Sequence, residues 1–281
     1  MDTTSTLFDL PADHPGVADL GYRARRAAIA EVADRFRTGQ PIPEVHYTEE
    51  EDEVWRQVSS ELRRQHARYA CAAYRKGSDA LDLRRDRVPQ LQEVSERLGE
   101  LTGFRIEPVG GLVPTRQFYG TLADRCFLST QYIRHHSVPF YTPEPDVVHE
   151  VIGHANMLAD PHLADLYQLA GEASRRAESD EALELFSRVF WFSLEFGVLW
   201  EDGELRTYGA GLLSSCAEIQ LFGKAEIRPL DLAAMGSKDY DITRYQPVLY
   251  AARSFTHAYD ELAAFFAAYD EDAFQAMTAG A

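Results

Sequence analysis

Residues 145–158 read PDVVHEVIGHANML, and any chemistry there rests on His149, Glu150 and His154. In the H-E-x-x-H pattern of zinc proteases the two histidines stand four apart and share a helix face. Here Gly153 fills the fourth place and the second imidazole comes one residue later. Five residues of regular α-helix turn the chain by roughly 500°, leaving His149 and His154 about 140° apart. The pair can hold one ion only if the helix ends or widens into a π-bulge between Val151 and Gly153. Such bulges favour functional sites, and a glycine without Cβ eases the distortion. Histidines beside acids are also common on surfaces. Here Val147, Val148, Val151, Ile152, Met157 and Leu158 flank them, which predicts burial and a need for hydrogen-bonding partners.

A carboxylate that could complete a metal site lies in VFWFSLEFGVLW, residues 189–200, where Glu195 is the only charge. A carboxylate among large apolar side chains either pairs with an arginine or coordinates a metal. Two imidazoles and one carboxylate make a facial triad with open positions, which points to non-haem iron(II) and dioxygen rather than closed structural zinc. In QYIRHHSVPFYTPEPD, residues 131–146, Arg134 has few acids nearby besides Glu144 and Asp146. Its guanidinium either clamps a carboxylate at two points or serves backbone carbonyls. His135, His136 and His162 read as ordinary polar or packed histidines. GAGLLSSCAE, residues 209–218, lacks G-K-[ST], which argues against a nucleotide site.

The elements that must position these residues are mostly helical. Apolar spacing predicts a helix over 17–36, after a polar and loosely held stretch of 16 residues. Pro41 and Pro43 mark a linker. Thr48, an acidic first turn, a basic last turn and Gly77 predict one long helix from 49 to 77. Another is expected over 86–101, with Pro89 early and Gly103 beyond its end. Residues 104–146 are rich in Gly, Pro and aromatics and read as a functional loop region. Helices resume near Pro145 and recur over 180–199 and 211–222. ELRTYGAG and KAEIRPL are expected to form a short hairpin or isolated strands. The fold class is therefore mainly α, an α+β chain with minor strands in one domain.

The chain has 281 residues, 28 basic against 45 acidic, and a formal net charge of −17. A nucleic-acid footprint should be basic, so no such partner is expected. Cys71, Cys126 and Cys216 form no C-x-x-C pair, which suits buried thiols in a reducing compartment. MDTTSTLFDLPADHPG has no basic region leading into an apolar run, so no signal peptide is expected. No run approaches the roughly 18 apolar residues of a membrane span. The expectation is a cytoplasmic protein without a membrane partner.

PDVVHEVIGHANMLADP, WFSLEFG, YGAGLLSS and STQYIRHHSVPFYTPEPD together resemble the pterin-dependent aromatic amino acid hydroxylases, especially the short bacterial phenylalanine hydroxylases. The likeness runs from PIPEVHYTEEEDEVW at Pro41 through VPQLQEVSERLGELTGFRIEPVGGL to YQPVLYAARSF near residue 255. DHPGVADLGYRARRAAIA is similar to the bacterial N-terminal extension. The resemblance implies an extension with a helix over 1–40 and an iron- and pterin-binding catalytic domain of the hydroxylase type over 41–281.

It also implies roles. His149, His154 and Glu195 would bind Fe(II), and Glu150 would reach the pterin through water. The pterin, tetrahydrobiopterin or a related reduced form, would stack on Phe118 and be edged by Gly111, Leu112 and Val113, with Thr115 nearby. Arg134, braced by Asp146, would hold the substrate carboxylate, while Thr142 and Ser214 orient the amino acid. Phe127, Pro145 and Trp191 would line the ring pocket. The implied reaction hydroxylates the ring of a free aromatic amino acid with dioxygen as co-substrate, through an iron-oxo intermediate.

This sequence departs from the family at Leu128, where many relatives carry a polar residue, which bears on one pterin contact. About 40 residues precede the catalytic region, and the C-terminal stretch is too short for a tetramerising coiled coil, so a monomer without a separate regulatory domain is expected. Phenylalanine is the expected substrate, because Ile242 falls where tyrosine-preferring members place an aspartate and a buried acid would lack a partner. The adjacent Asp241 leaves tyrosine open, as tryptophan and meta-hydroxylation of phenylalanine are open. From other classes, a zinc metallohydrolase using His149, His154 and Glu195, or an inactive ligand binder, would use the same residues.

Overall fold

The computed structural model describes Leu7, residues 10–242 and residues 244–279. Half of the 16-residue opening stretch lies outside these residues. In its described part, His14 and Gly16 are buried at a single 3₁₀ turn, while Pro11, Ala12, Asp13 and Pro15 stay exposed.

The first helix is α1 (Leu20–Asp34), capped by Asp19. α2 (Glu49–Tyr69) begins with a reciprocal capping box. The Thr48 hydroxyl accepts from the Glu51 amide and the Glu51 carboxylate accepts from the Thr48 amide. The single long helix expected over 49–77 does not form. Ala70 is extended and bridges Thr207, and the Cys71 amide donates to the Thr207 carbonyl at 2.9 Å, so the chain restarts as α3 (Ala72–Leu81). Gly77 does not close a helix but lies inside α3, where a Cβ would meet the Asn156 carbonyl oxygen at 2.4 Å. α4 (Leu91–Thr102) starts later than expected, because Gln90 is extended and exchanges two side-chain hydrogen bonds with the Val45 backbone.

The loop-rich middle holds regular structure that its short runs concealed. β1 (Arg105–Pro108), α5 (Thr115–Leu122) and β2 (Cys126–Ser129) form a crossover unit with two parallel strands. After the 130–146 segment comes a π-helix, His149–Ala155, continued by α6 (Asn156–Leu158). α7 (Pro161–Arg176) and α8 (Asp180–Phe190) follow, and α8 runs into a second π-helix, Trp191–Glu195. The helix expected to reach residue 199 therefore ends at Glu195.

β3 (Val198–Glu201) and β4 (Glu204–Thr207) are joined through Asp202 and Gly203, both at positive φ, as a two-residue hairpin turn demands. The expected 211–222 helix is two short ones, α9 (Ala210–Ser214) and α10 (Glu218–Leu221). β5 (Glu226–Pro229), α11 (Leu232–Ser237) and β6 (Val248–Ala252) lead to α12 (Phe255–Ala268) and α13 (Glu271–Thr278). Four strands form one sheet in the order β4-β3-β6-β5, with only β3 and β4 antiparallel. ELRTYGAG and KAEIRPL thus contribute strands to one sheet without pairing with each other.

One apolar cluster runs from α2 to α12, with Trp55, Tyr74, Phe104, Tyr167, Phe186 and Phe190 among its fully buried side chains. The three cysteines are buried and unbonded. Among the described residues no helix is long and apolar enough to cross a membrane. α1 lies across the middle of the chain. The Tyr22 hydroxyl donates to the Ile133 carbonyl, Arg26 pairs with buried Glu144, and Asp34 accepts from the Gly110 amide.

His66 in α2 is buried and its Nε2 donates to the Leu213 carbonyl at 2.6 Å. Burial pushes its imidazole down from 6.5 to about 4, against that hydrogen bond and with help from the charge of Arg63. The unfolded chain therefore binds a proton that the folded chain refuses, so stability present above pH 6.5 is lost as pH falls toward 4. A shift of this size is worth about 3 kcal/mol. His66→Gln keeps the donor and removes the titration. Urea unfolding between pH 7 and pH 4 is expected to show a smaller loss of stability in His66→Gln than in the parent, by about that amount.

Candidate active site

The odd histidine spacing is resolved by the backbone. The His149–Ala155 segment is a π-helix, in which hydrogen bonds run from residue i to i+5, as from the Asn156 amide to the Val151 carbonyl. Residue 154 is thereby returned to the face of residue 149. The two rings are nearly perpendicular with centroids 4.7 Å apart, and their Nε2 atoms are 3.1 Å apart. Gly153 serves a different purpose from easing the distortion. Its φ is not positive, but a Cβ there would stand 2.9 Å from the Ala210 carbonyl oxygen. Its hydrogen atom is what lets α9 approach.

That approach brings the Ser214 hydroxyl to 2.8 Å from His149 Nδ1, while Tyr167 on α7 brings its hydroxyl to 2.7 Å from His154 Nδ1. Ser214 can pass its own proton toward the Gly211 carbonyl at 3.4 Å, and Tyr167 toward the Met157 sulfur at 3.5 Å. Both hydroxyls are then acceptors for Nδ1–H, which turns both Nε2 lone pairs inward. Burial, then the neighbouring His154, lower the His149 imidazole to about 4 against the pull of Glu195, so it is neutral at pH 7.

Glu195 reaches the same point from the second π-helix, where the Phe196 amide donates to the Trp191 carbonyl five residues back. Its carboxylate oxygens lie 3.1 Å from His154 Nε2 and 3.9 Å from His149 Nε2. Burial would push this carboxyl up, yet the two imidazoles and the Gly211 amide hold it below the usual carboxylate range. No arginine pairs with it among the described residues. Two inward lone pairs, that of His154 buried and that of His149 partly exposed, and an ionised, buried carboxylate are a donor set suited to a divalent cation. Glu150 is also buried and offers an oxygen within 4.8 Å of both imidazoles. Burial and the charge of Glu195 raise its carboxyl well above the ordinary value, opposed by a backbone hydrogen bond from Thr130.

Arg134 and Asp146 form a buried two-point pair, with Nε and Nη2 donating at 2.9 and 2.8 Å. Asp146 also accepts from the amides of Arg134 and His149, at 2.8 and 3.1 Å. One carboxylate thus fixes the guanidinium and the first turn of the metal-facing helix together. Burial opposes its charge, but Arg134 and these amides hold the carboxyl below the usual range.

Phe127 is fully buried, its ring 4.7 Å from that of His154, and Phe118 meets Phe127 edge-on at 5.7 Å. Leu128 is buried in a small apolar cluster that includes Val113 and Phe118. Gly111 is buried, Leu112 is 45% exposed and Thr115 is an exposed first residue of α5. Thr142 spends its hydroxyl proton on the Glu144 carbonyl at 2.8 Å, and the Ser214 hydroxyl oxygen accepts from His149 Nδ1–H, so both shape the site through other groups. Pro145, half-buried, accepts from Thr130 through its carbonyl. Trp191 stacks on Tyr240 at 4.3 Å and donates to Gln246. The argument from Ile242 fails, because its side chain is 62% exposed, and adjacent Asp241 is exposed and paired with Arg244. Tyr167 and Tyr240 had no sequence signal, since each sits in an ordinary run far along the chain from the residue it touches.

The sequence matches the biopterin-dependent aromatic amino acid hydroxylase family over residues 2–277. It is 43% identical over 267 residues to phenylalanine 3-hydroxylase of Streptomyces coeruleorubidus, covering 95% of this chain and 96% of that one. It is 43% identical over 265 residues to phenylalanine-4-hydroxylase of Rattus norvegicus, covering 92% of this chain and 58% of the rat protein. The fold is similar to that of Chromobacterium violaceum phenylalanine hydroxylase solved with bound iron(III) and 7,8-dihydrobiopterin, with a TM-score of 0.80, 25% identity, and 98% and 94% of the two chains covered.

Gly153→Ala forces a Cβ against backbone rather than against a yielding side chain. Overpacking of this kind costs about 1–3 kcal/mol, and a lower urea midpoint at unchanged m-value is the expected outcome.

Proposed function

The chain belongs to the biopterin-dependent aromatic amino acid hydroxylases, and on that basis we propose that it hydroxylates the ring of free L-phenylalanine, giving tyrosine. The observation that carries this reading is the convergence of His149, His154 and Glu195 beside the buried Arg134–Asp146 pair. A divalent cation needs the first three, and an amino acid carboxylate needs the fourth. In this reading His149, His154 and Glu195 hold iron(II), which with reduced pterin supplies the activation of dioxygen.

The protein's own part is binding, orientation and shielding. Asp146 occupies Nε and Nη2 of Arg134, which leaves Nη1 as the nitrogen that meets the substrate carboxylate. Because that guanidinium and the His149 amide share one carboxylate, the substrate is referenced to the metal-facing helix. Phe127, Pro145 and Trp191 form the apolar slot that excludes water from the ring. Phe118 offers a face to the pterin, and the 111–115 segment lies along its edge. Glu150, pushed toward its neutral form by burial and by Glu195, would reach the pterin through water. Ser214 and Tyr167 keep both imidazoles in the tautomer that presents Nε2. A cytoplasmic monomer acting on small molecules, without nucleic-acid or membrane partners, is part of the same proposal, beside a formal net charge of −17 and, among the described residues, no helix long and apolar enough to cross a membrane.

Meta-hydroxylation is the second reading, favoured by the near full-length match to a phenylalanine 3-hydroxylase. The test supplies iron(II), tetrahydrobiopterin and dioxygen with phenylalanine, tyrosine or tryptophan, and seeks a product heavier by about 16 Da, one oxygen atom. Co-elution with para-tyrosine is expected; co-elution with meta-tyrosine selects the second reading, and zinc-supported hydrolysis without oxygen uptake overturns both.

Arg134→Lys keeps the charge but loses the fork. With a charge-assisted hydrogen bond worth about 2 kcal/mol, kcat/KM for the amino acid is expected to fall roughly 30-fold, carried mainly by KM. The KM for the pterin should stay within about twofold.

A further inference from the structure

A cleft of about 570 Å³ lies over α2 and α3 and reaches the outer side of the metal-facing helix at Ile152 and Asn156. Its size is that of a small-molecule site. In a chain of net charge −17, its wall is basic: Arg56, Arg63, Arg75, Arg84 and Arg85 line it, against the single acid Asp79. Arg56 is neutralised by Glu49 and Glu53, and Arg84 by Asp86. Among the described residues Arg75 pairs only with Glu201, at 3.9 Å. Arg63 and Arg85 make no hydrogen bond or ion pair with any described residue. Burial, then the like charge of Arg85, lower the Arg63 guanidinium against the opposing pull of Asp79 and Asp82.

The floor holds an unmet acceptor. Asn156 is buried and its amide nitrogen donates to the Tyr74 hydroxyl and the Ile152 carbonyl, at 3.1 and 3.0 Å. Those two bonds fix the amide's orientation, and Oδ1 is left buried without a partner. A buried acceptor of this kind calls for a donor.

We propose that this cleft binds a small oxyanion that carries its own O–H or N–H donor, with the anion on Arg63 and Arg85 and the donor on Asn156 Oδ1. Occupancy bears on the catalytic elements through the same floor. The Tyr74 hydroxyl donates to the Ile152 carbonyl at 2.7 Å within the metal-facing helix, and His66 donates to Leu213, the neighbour of Ser214. The site is therefore a regulatory one, separate from the substrate pocket.

The full-length protein is titrated calorimetrically with glycerol 3-phosphate, glycerate, n-propyl phosphate and glycerol at one ionic strength. One saturable site per chain is expected for glycerol 3-phosphate or glycerate, the tighter of the two telling phosphate from carboxylate, with no binding of glycerol. Arg63 and Arg85 are exposed, so the R63A/R85A double variant tests the anion without threatening the fold. It should weaken binding at least tenfold, the effect of losing one charge-assisted hydrogen bond. His149→Ala should bind within about twofold of the parent, since no ligand on a metal is involved. Equal affinity in R63A/R85A, loss of binding in His149→Ala, or no saturable heat with either anion would overturn the site. Equal affinity for n-propyl phosphate and glycerol 3-phosphate would overturn the role of Asn156. Hydrogen exchange of the 149–155 and 210–214 amides should slow on binding in the parent and not in R63A/R85A; unchanged exchange in the parent would overturn the coupling.

Discussion

The i→i+5 hydrogen bonding of His149–Ala155 is the constraint on which the site depends. With regular α-helical bonds the two imidazoles would diverge by well over a right angle, and no rearrangement of neighbours could return both Nε2 atoms to one point. A π-helix is less favourable than an α-helix and rarely longer than a turn, so this seven-residue example has to be held by its surroundings. Its start is fixed by Asp146, which accepts the His149 amide. Its middle is pressed by Ala210 against Gly153, and its carbonyl at Ile152 is taken up by Tyr74 and Asn156. Three separate parts of the chain meet on this one distorted segment.

The second π-helix, Trp191–Glu195, makes the arrangement symmetrical in principle. A widened turn at the end of α8 aims Glu195 inward and then releases the chain into β3 three residues later. Gly197 and Gly209 lie close to the same backbone, where a Cβ would collide with the Ser193 or Glu195 carbonyl. The carboxylate is therefore placed by backbone crowding rather than by a long flexible reach. Asp146 does the corresponding work on the other side, since one buried carboxylate serves Arg134 and His149 at once. Metal donors and the cationic anchor are thus parts of one hydrogen-bonded frame, and a shift in either is felt by the other.

Some of this was legible without coordinates. The charge pattern of α2 gave its N-terminus, with Thr48 and Glu51 forming the reciprocal cap. The extra residue between His149 and His154 demanded either a helix end or a π-bulge, because a regular 3.6-residue turn leaves the two imidazoles far apart. Other signals misled. Gly77 and Gly153 both looked like local backbone devices, a helix stop and a relief of strain, yet each is small because another segment's carbonyl lies against it. Ile242 was read as a pocket residue from the position it shares with an aspartate of tyrosine-preferring family members, but it faces solvent. A glycine or an isoleucine carries no mark of what approaches it from elsewhere in the chain.

By itself, the sequence determined the residue types of the site, the need for a helix end or a widened turn between the two histidines, the excess of acid over base and the predominance of helix. These follow from local rules: charge is summed, periodicity is counted, and a turn has a fixed angle. Only the tertiary structure decided that Ser214 and Tyr167 set the imidazole tautomers, that Asp146 joins anchor to metal helix, that the 49–77 helix breaks to pair with Thr207, and that Arg63 and Arg85, without a partner among the described residues, line one cleft with Asn156. Each of these is a contact between residues far apart in the chain. Hydrogen bonds are satisfied by whichever group the fold brings within about 3 Å, and no local pattern encodes that choice.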